Sequence, residues 1–178
     1  TGKTSGRMAA LLVALVALFF VPVVEATTYT YTSTTTCTYS NNGDAQCCGT
    51  HDTIVIDASV TVIANNAFWN CNSVTTVDFS SATSLVTIGQ RAFHSCSVTM
   101  LDFSSATALQ TIRNGAFLGN TALTSINFNG ATALVTIEAN AFASCINLLS
   151  VDLSSAVALM TIAGDAFRGC SALQSLTL

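Results

Sequence analysis

Leu134 to Leu153 reads L-V-T-I-E-A-N-A-F-A-S-C-I-N-L-L-S-V-D-L, and four other stretches of the chain repeat this sentence with few changes. Isoleucine recurs at Ile63, Ile88, Ile112, Ile137 and Ile162, in steps of 25, 24, 25 and 25 residues. At a constant distance behind each comes an Ala-Phe pair: Ala67-Phe68, Ala92-Phe93, Ala116-Phe117, Ala141-Phe142 and Ala166-Phe167. Three residues past each Phe stands Cys71, Cys96, Asn120, Cys145 or Cys170. An L-x-x-L-x-L triplet follows, as Val74, Val77, Phe79; Val98, Leu101, Phe103; Leu123, Ile126, Phe128; Leu148, Val151, Leu153; and Leu173, Leu176, Leu178. The one 24-residue step lacks a residue between Cys96 and Val98.

A fixed period in the twenties with this apolar spacing is the signature of a leucine-rich-repeat solenoid. The expected fold is an α/β-type repeat solenoid, mostly β with irregular coils. It has about five coils of 24–25 residues, each with one strand on the concave face. Such an array needs no globular core, because each coil buries its apolar face against its neighbours.

Charged residues make up 8% of the 178 residues and the net charge is -4. Past the leader the basic residues are Arg91, Arg113 and Arg168, so no electrostatic footprint for nucleic acid is present. Past residue 27 the apolar residues come every second or third position and never form a membrane-spanning run. The one long apolar run is at the front.

Residues 1–7 read as upstream or added sequence. Residues 8–26, an apolar stretch broken by Pro22 and ending Val24-Glu25-Ala26, read as a signal peptide cleaved before Thr27; an uncleaved anchor is the alternative. Residues 27–52 combine a Thr-rich, weakly extended segment with a cysteine-containing N-terminal cap, in which Asn42-Gly43 marks a turn. Residues 53–178 are the solenoid, with Thr53 to Ile63 as an abbreviated first turn. Ending on a core position of a strand, the array reads as part of a longer one.

Alternation along each L-x-x-L-x-L strand sends Val77 and Phe79 inward and Thr76 and Asp78 outward. Stacking therefore predicts two outward columns: Thr76, Met100, Ser125, Ser150 and Asp78, Asp102, Asn127, Asp152. These eight residues are the candidate binding face, for a protein or glycan ligand. The plain alternative is that the aspartates only solubilise exposed strand positions. A Thr column, Thr87, Thr111, Thr136 and Thr161, reads as cross-strand packing, with a water-ordering face as the lesser alternative.

The Ala-Phe pairs and the cysteine column read as interior. Asn120 in that column indicates a position that asks for a small hydrogen-bonding side chain and not for sulfur chemistry. Because stacked side chains point in parallel, Cys71, Cys96, Cys145 and Cys170 are expected to be free thiols. A cap disulfide is expected from Cys37 to Cys47 or Cys48. The Cys47, Cys48, His51 grouping has no second ligand pair, so no metal is expected. No cofactor and no catalytic residues are expected: His51 and His94 stand apart, His94 on the surface, and no phosphate loop, nucleophile elbow or paired Glu is present.

The pattern L-x-x-I-x-x-x-A-F-x-x-C-x-x-L-x-x-L-x-L, from about Val60 to Leu178, resembles the BspA-like, Treponema pallidum type of leucine-rich repeat. One departure is that Ser80, Ser104, Asn129 and Ser154 stand where that family often has proline. The resemblance implies a secreted or surface protein that binds other proteins, often in adhesion, without catalysis. A structural spacer of a wall or matrix, or the ectodomain of a larger receptor, is the alternative.

Overall fold

The computed structural model describes residues 28–32 and 48–178. The expected leader, Cys37, Cys47 and most of the cap lie outside the described residues.

The described residues form twelve strands: β1 Thr28–Tyr31, β2 Thr53–Ile56, β3 Val62–Ile63, β4 Thr76–Asp78, β5 Thr87–Ile88, β6 Met100–Asp102, β7 Thr111–Ile112, β8 Ser125–Asn127, β9 Thr136–Ile137, β10 Ser150–Asp152, β11 Thr161–Ile162 and β12 Ser175–Thr177. They form two parallel sheets, one of seven strands in the order β1-β2-β4-β6-β8-β10-β12 and one of five, β3-β5-β7-β9-β11. Each of the five coils counted from the isoleucines passes once through each sheet, so the expected single strand per coil becomes two, and β1 and β2 extend the larger sheet. The second is the Thr-Ile step, where β-branched residues favour extended backbone and each isoleucine pairs with the isoleucine of the next coil.

Among the described residues there is no helix, so the α part of the expected α/β coil is missing. The reason lies in the Ala-Phe segment. The residue before each Ala-Phe pair and the residue two past each Phe recur with positive φ, as at Asn66 and Asn70 (58° and 62°) and at Gly115 and Gly119 (62° and 75°). Left-handed residues at that spacing break a helix and turn alternate N–H groups toward the next coil. Phe68 N–H donates to the Ala92 carbonyl at 2.7 Å, Phe93 to Ala116 at 2.7 Å, and Phe117 to Ala141 at 2.8 Å. Coils are thus tied along a third line as well as by the two sheets.

Two aromatic columns fill the interior. Phe68, Phe93, Phe117, Phe142 and Phe167 stack ring on ring at 4.9, 5.3, 5.3 and 5.4 Å. Phe79, Phe103 and Phe128 form a second column at 4.9 and 5.3 Å, which meets the first edge-on at 6.1–6.4 Å. The Tyr31 ring closes the first column edge-on to Phe68 at 5.3 Å.

The array begins earlier than its isoleucine repeat. β2 pairs in register with β4, Ile54 beside Val77, and Cys48, Ile54 and Ile56 have the spacing of Cys71, Val77 and Phe79. Thr53 to Ile63 therefore belongs to a fuller coil than the abbreviated turn expected. The weakly extended segment pairs too, as β1 against β2.

Gly130 occupies a position that Ser81, Ser105 and Ser155 fill in other coils. An added Cβ there would fall on the Ser104 backbone carbonyl. Gly130→Ser, although it restores the repeat's usual residue, is expected to lower stability by about 1–3 kcal/mol through overpacking. Urea denaturation checks this, and an unchanged or raised midpoint would contradict it.

Candidate functional site

The seven-stranded sheet brings the expected outward columns together. Thr76, Met100, Ser125, Ser150 and Ser175 are register partners in sequence, as are Asp102, Asn127, Asp152 and Thr177. Inward residues of the same strands, Val77, Leu101, Ile126 and Val151, are buried.

The carboxylates have local partners. Asp78, Asp102 and Asp152 each accept a hydrogen bond from the N–H two residues on, at Ser80 (2.8 Å), Ser104 (2.9 Å) and Ser154 (2.9 Å), and Asn127 does the same for Asn129 at 3.0 Å. These are Asx-turns, in which a short side chain replaces a backbone acceptor where the strand ends. The Ser154 hydroxyl and N–H together hold the Asp152 carboxyl below its ordinary value. The Asn127 amide also donates to Asp102 at 3.0 Å, so a neutral residue separates the acids. The column thus has a structural use that simple solubilising does not describe.

It is also interrupted. β4 and β6 pair only at Thr76 with Met100, whereas β6 pairs with β8 at three positions. This short ladder falls at the 24-residue coil, where one residue is missing before Val98. A groove of about 230 Å³ opens here, lined by Asp78, Phe79, Ser80, Met100, Asp102 and Ser104 among others. Met100 is 57% exposed, an apolar side chain between two carboxylates in a column otherwise made of Thr76, Ser125, Ser150 and Ser175. The shortened step was legible in the sequence; that it would open the strand face was not.

The cysteine column behaves largely as expected. Cys96, Cys145 and Cys170 are free. Their thiols donate to the Phe carbonyl of the preceding coil: Cys96 to Phe68 at 3.1 Å, Cys145 to Phe117 at 3.4 Å and Cys170 to Phe142 at 3.1 Å. Asn120 makes the same bond to Phe93 at 2.8 Å and a second to Phe117 at 2.8 Å. Burial pushes the Cys96 thiol up to about 12, so it stays protonated.

Two expectations are corrected. Cys71 is bonded to Cys48, across a Cα–Cα distance of 5.6 Å, within the span that a disulfide bridges. Cys48 is therefore not the partner of Cys37, while a Cys37–Cys47 bond lies outside the described residues. The spacing of Cys48 to Ile54 and Ile56, which equals that of Cys71 to Val77 and Phe79, is the signal that placed Cys48 in the column.

His94 is half-buried and not simply a surface residue. Its ring meets Trp69 edge-on at 5.5 Å, and the Arg91 guanidinium sits 5.5 Å from the Trp69 ring centre. Burial, then the Arg91 charge, lowers the pKa of His94 and favours its neutral form. His51 packs beside Tyr29 at 5.5 Å. Among the described residues no group of three or more His, Cys, Asp or Glu side chains is placed to hold a metal, and no helix is long and apolar enough to cross a membrane.

The BspA type leucine-rich-repeat region matches residues 45–174 in six copies. The chain belongs to the BspA-type leucine-rich-repeat family. Six copies agree with the coil that Cys48, Ile54 and Ile56 add to the five counted from the isoleucines. No curated protein matches this BspA-type chain. Among solved structures it is similar to the pneumococcal vaccine antigen PcpA, at 22% identity and a TM-score of 0.56, over 84% of this chain and 34% of that one. The chain thus spans about a third of the length of PcpA. It also matches a leucine-rich-repeat protein from Bacteroides ovatus at 17% identity and a TM-score of 0.29, over 72% of this chain and 49% of the other. A leucine-rich cell surface protein from Faecalibacterium prausnitzii matches at 20% identity and a TM-score of 0.26, over 71% and 59%.

Proposed function

We propose that this chain is a non-catalytic recognition module, secreted or displayed at the cell surface, which binds a protein or glycan through the outer face of its seven-stranded sheet. The observation that carries this reading is the groove between β4 and β6. There Met100 offers apolar area at the centre and Asp78 and Asp102 offer charge at its sides. An exposed apolar residue rimmed by polar groups is the arrangement from which binding anchors are built. On their far sides β4 pairs with β2 and β6 with β8 at three positions each, so the backbone of both walls is already held and little backbone ordering opposes association. A basic group on the ligand would complement the two carboxylates. Family membership supports the reading, and the leader expected at residues 8–26 supports the location.

The test is a screen of wild-type protein against immobilised proteins and a glycan array, repeated with Asp78, Asp102 and Asp152 all changed to Asn and, separately, with Met100→Ala. Asparagine keeps the side-chain acceptor of each Asx-turn, as Asn127 already does, and removes only charge. For a ligand that wild type binds, each variant is expected to lose about tenfold or more in affinity, on the scale of a truncated anchor contact. Unchanged affinity in both would move the binding site elsewhere.

A further inference from the structure

The cysteine column holds one pair of neighbouring free thiols among the described residues. Cys71 is already joined to Cys48, and Asn120 separates Cys96 from Cys145. That leaves Cys145 and Cys170, which hold the same position in successive coils. Their coils are spaced by the Phe142–Phe167 ring distance of 5.4 Å, close to the 5.6 Å that separates the Cα atoms of Cys48 and Cys71. The hydrogen-bonding direction matters as well. The Cys170 thiol points back toward the coil of Cys145, donating to Phe142 at 3.1 Å. The Cys145 thiol donates to the Phe117 carbonyl at a longer 3.4 Å. Bonds from a thiol are weak, so a small side-chain rotation that gives one up is not strongly opposed.

We infer that Cys145 and Cys170 form an oxidisable pair, which closes to a second inter-coil disulfide when a small-molecule disulfide of the glutathione class acts as oxidant.

Access sets the order of events. Cys145 is buried and Cys170 partly exposed, so Cys170 meets the oxidant first. The nearness of the Cys145 thiol lowers the pKa of Cys170, against the effect of burial, and the same nearness together with burial raises that of Cys145. The Cys170 thiolate attacks the oxidant's S–S bond, forming a mixed disulfide and releasing one thiolate. Cys145 then attacks the Cys170 sulfur, its proton passing to the second thiolate as that leaves. In sum, two protein thiols and one oxidised glutathione give one protein disulfide and two reduced glutathiones. Cys96 stays out of the exchange because its neighbours in the column are the bonded Cys71 and Asn120, which leaves it no free thiol to pair with. The new bond would fasten the coil that carries β12, whose three residues are all exposed, to the coil before it.

The test treats the full chain with oxidised glutathione at neutral pH, then maps it with trypsin under non-reducing conditions. Cleavage after Arg91, Arg113 and Arg168 puts Cys96, Cys145 and Cys170 on separate peptides, 92–113, 114–168 and 169–178. The expected result is peptide 114–168 linked to 169–178, with a melting temperature that rises on oxidation and returns on reduction. In Cys145→Ser the second step is blocked, and the glutathione adduct on Cys170 should exceed the wild-type level about tenfold or more. In Cys170→Ser, Cys145 should remain unmodified. A wild-type protein that accumulates the Cys170 adduct without the link would overturn the proposal. So would two unreacted thiols, or a link through Cys96.

Discussion

Replacing Phe117 with alanine is expected to lower the unfolding free energy by about 3–5 kcal/mol, the usual range for truncating a buried aromatic ring. Phe117 has no exposed surface. Its ring is stacked at 5.3 Å on both Phe93 and Phe142 and is met edge-on by Phe103 at 6.1 Å. Removing it strips contacts from three rings in the two neighbouring coils, and the third inter-coil line, anchored here by the Phe117 N–H to Ala141, prevents the coils from closing on the void. In a solenoid each coil is held only by its neighbours, so weakening a central interface also weakens the link between the two halves. Phe167→Ala is the comparison. Phe167 is only partly buried and stacks on one ring of its column, Phe142, so its loss should cost less than half as much, on the same scale of about 3–5 kcal/mol for a fully buried ring. Equilibrium denaturation of both variants checks this. Equal losses at the two positions would mean that stability does not accumulate ring by ring along the column.

The interior of the coil was legible because spacing alone decides it. Ile63, Phe68, Cys71, Val77 and Phe79 could each be assigned to the core from periodicity, and each is buried. The cysteine column's need for a small hydrogen-bonding side chain was legible from the single exchange to Asn120. Features that depend on how coils meet were harder to read. The Thr-Ile step is only two residues long, too short for alternation to mark it as a strand. The turn ladder depends on left-handed residues as different as Asn66, Arg91 and Gly115 at one position, so no composition signal announces it. The strand-face columns followed from alternation, yet in the Asx-turns at Asp78, Asp102 and Asp152 the carboxylate accepts from an N–H two residues on, a local bond that alternation does not register. The groove beside Met100 needed one further step, from a missing residue in a turn to a shortened ladder on the opposite side of the same coil.

Loss of the Cys48–Cys71 disulfide is expected to cost about 3 kcal/mol, from the entropy that its closed loop removes from the unfolded chain. The loop spans a sequence separation of 23 residues, nearly one whole coil, so the bond fixes one coil against the next where the array begins. The β2–β4 ladder joins the same two coils through three register pairs, and the disulfide adds a covalent tie beside it. Tyr31 and Phe68 meet edge-on, and the Tyr31 hydroxyl accepts from Ala64 N–H at 3.3 Å, but beyond them β1 is only four residues long and its Thr28 and Thr30 are exposed. Cys48→Ala and Cys71→Ala should therefore each lower stability by a similar amount. Because one bond accounts for both losses, the double variant should cost little more than the larger single one. The effect should also be local, since coils communicate only with neighbours. Amide exchange should quicken along the β2–β4 ladder while the β8–β10 ladder keeps its protection. Additive losses in the double variant, or uniform deprotection of both ladders, would show that the two cysteines act separately or that the array unfolds as one unit, and would remove the disulfide from its place as the fastening of the first coils.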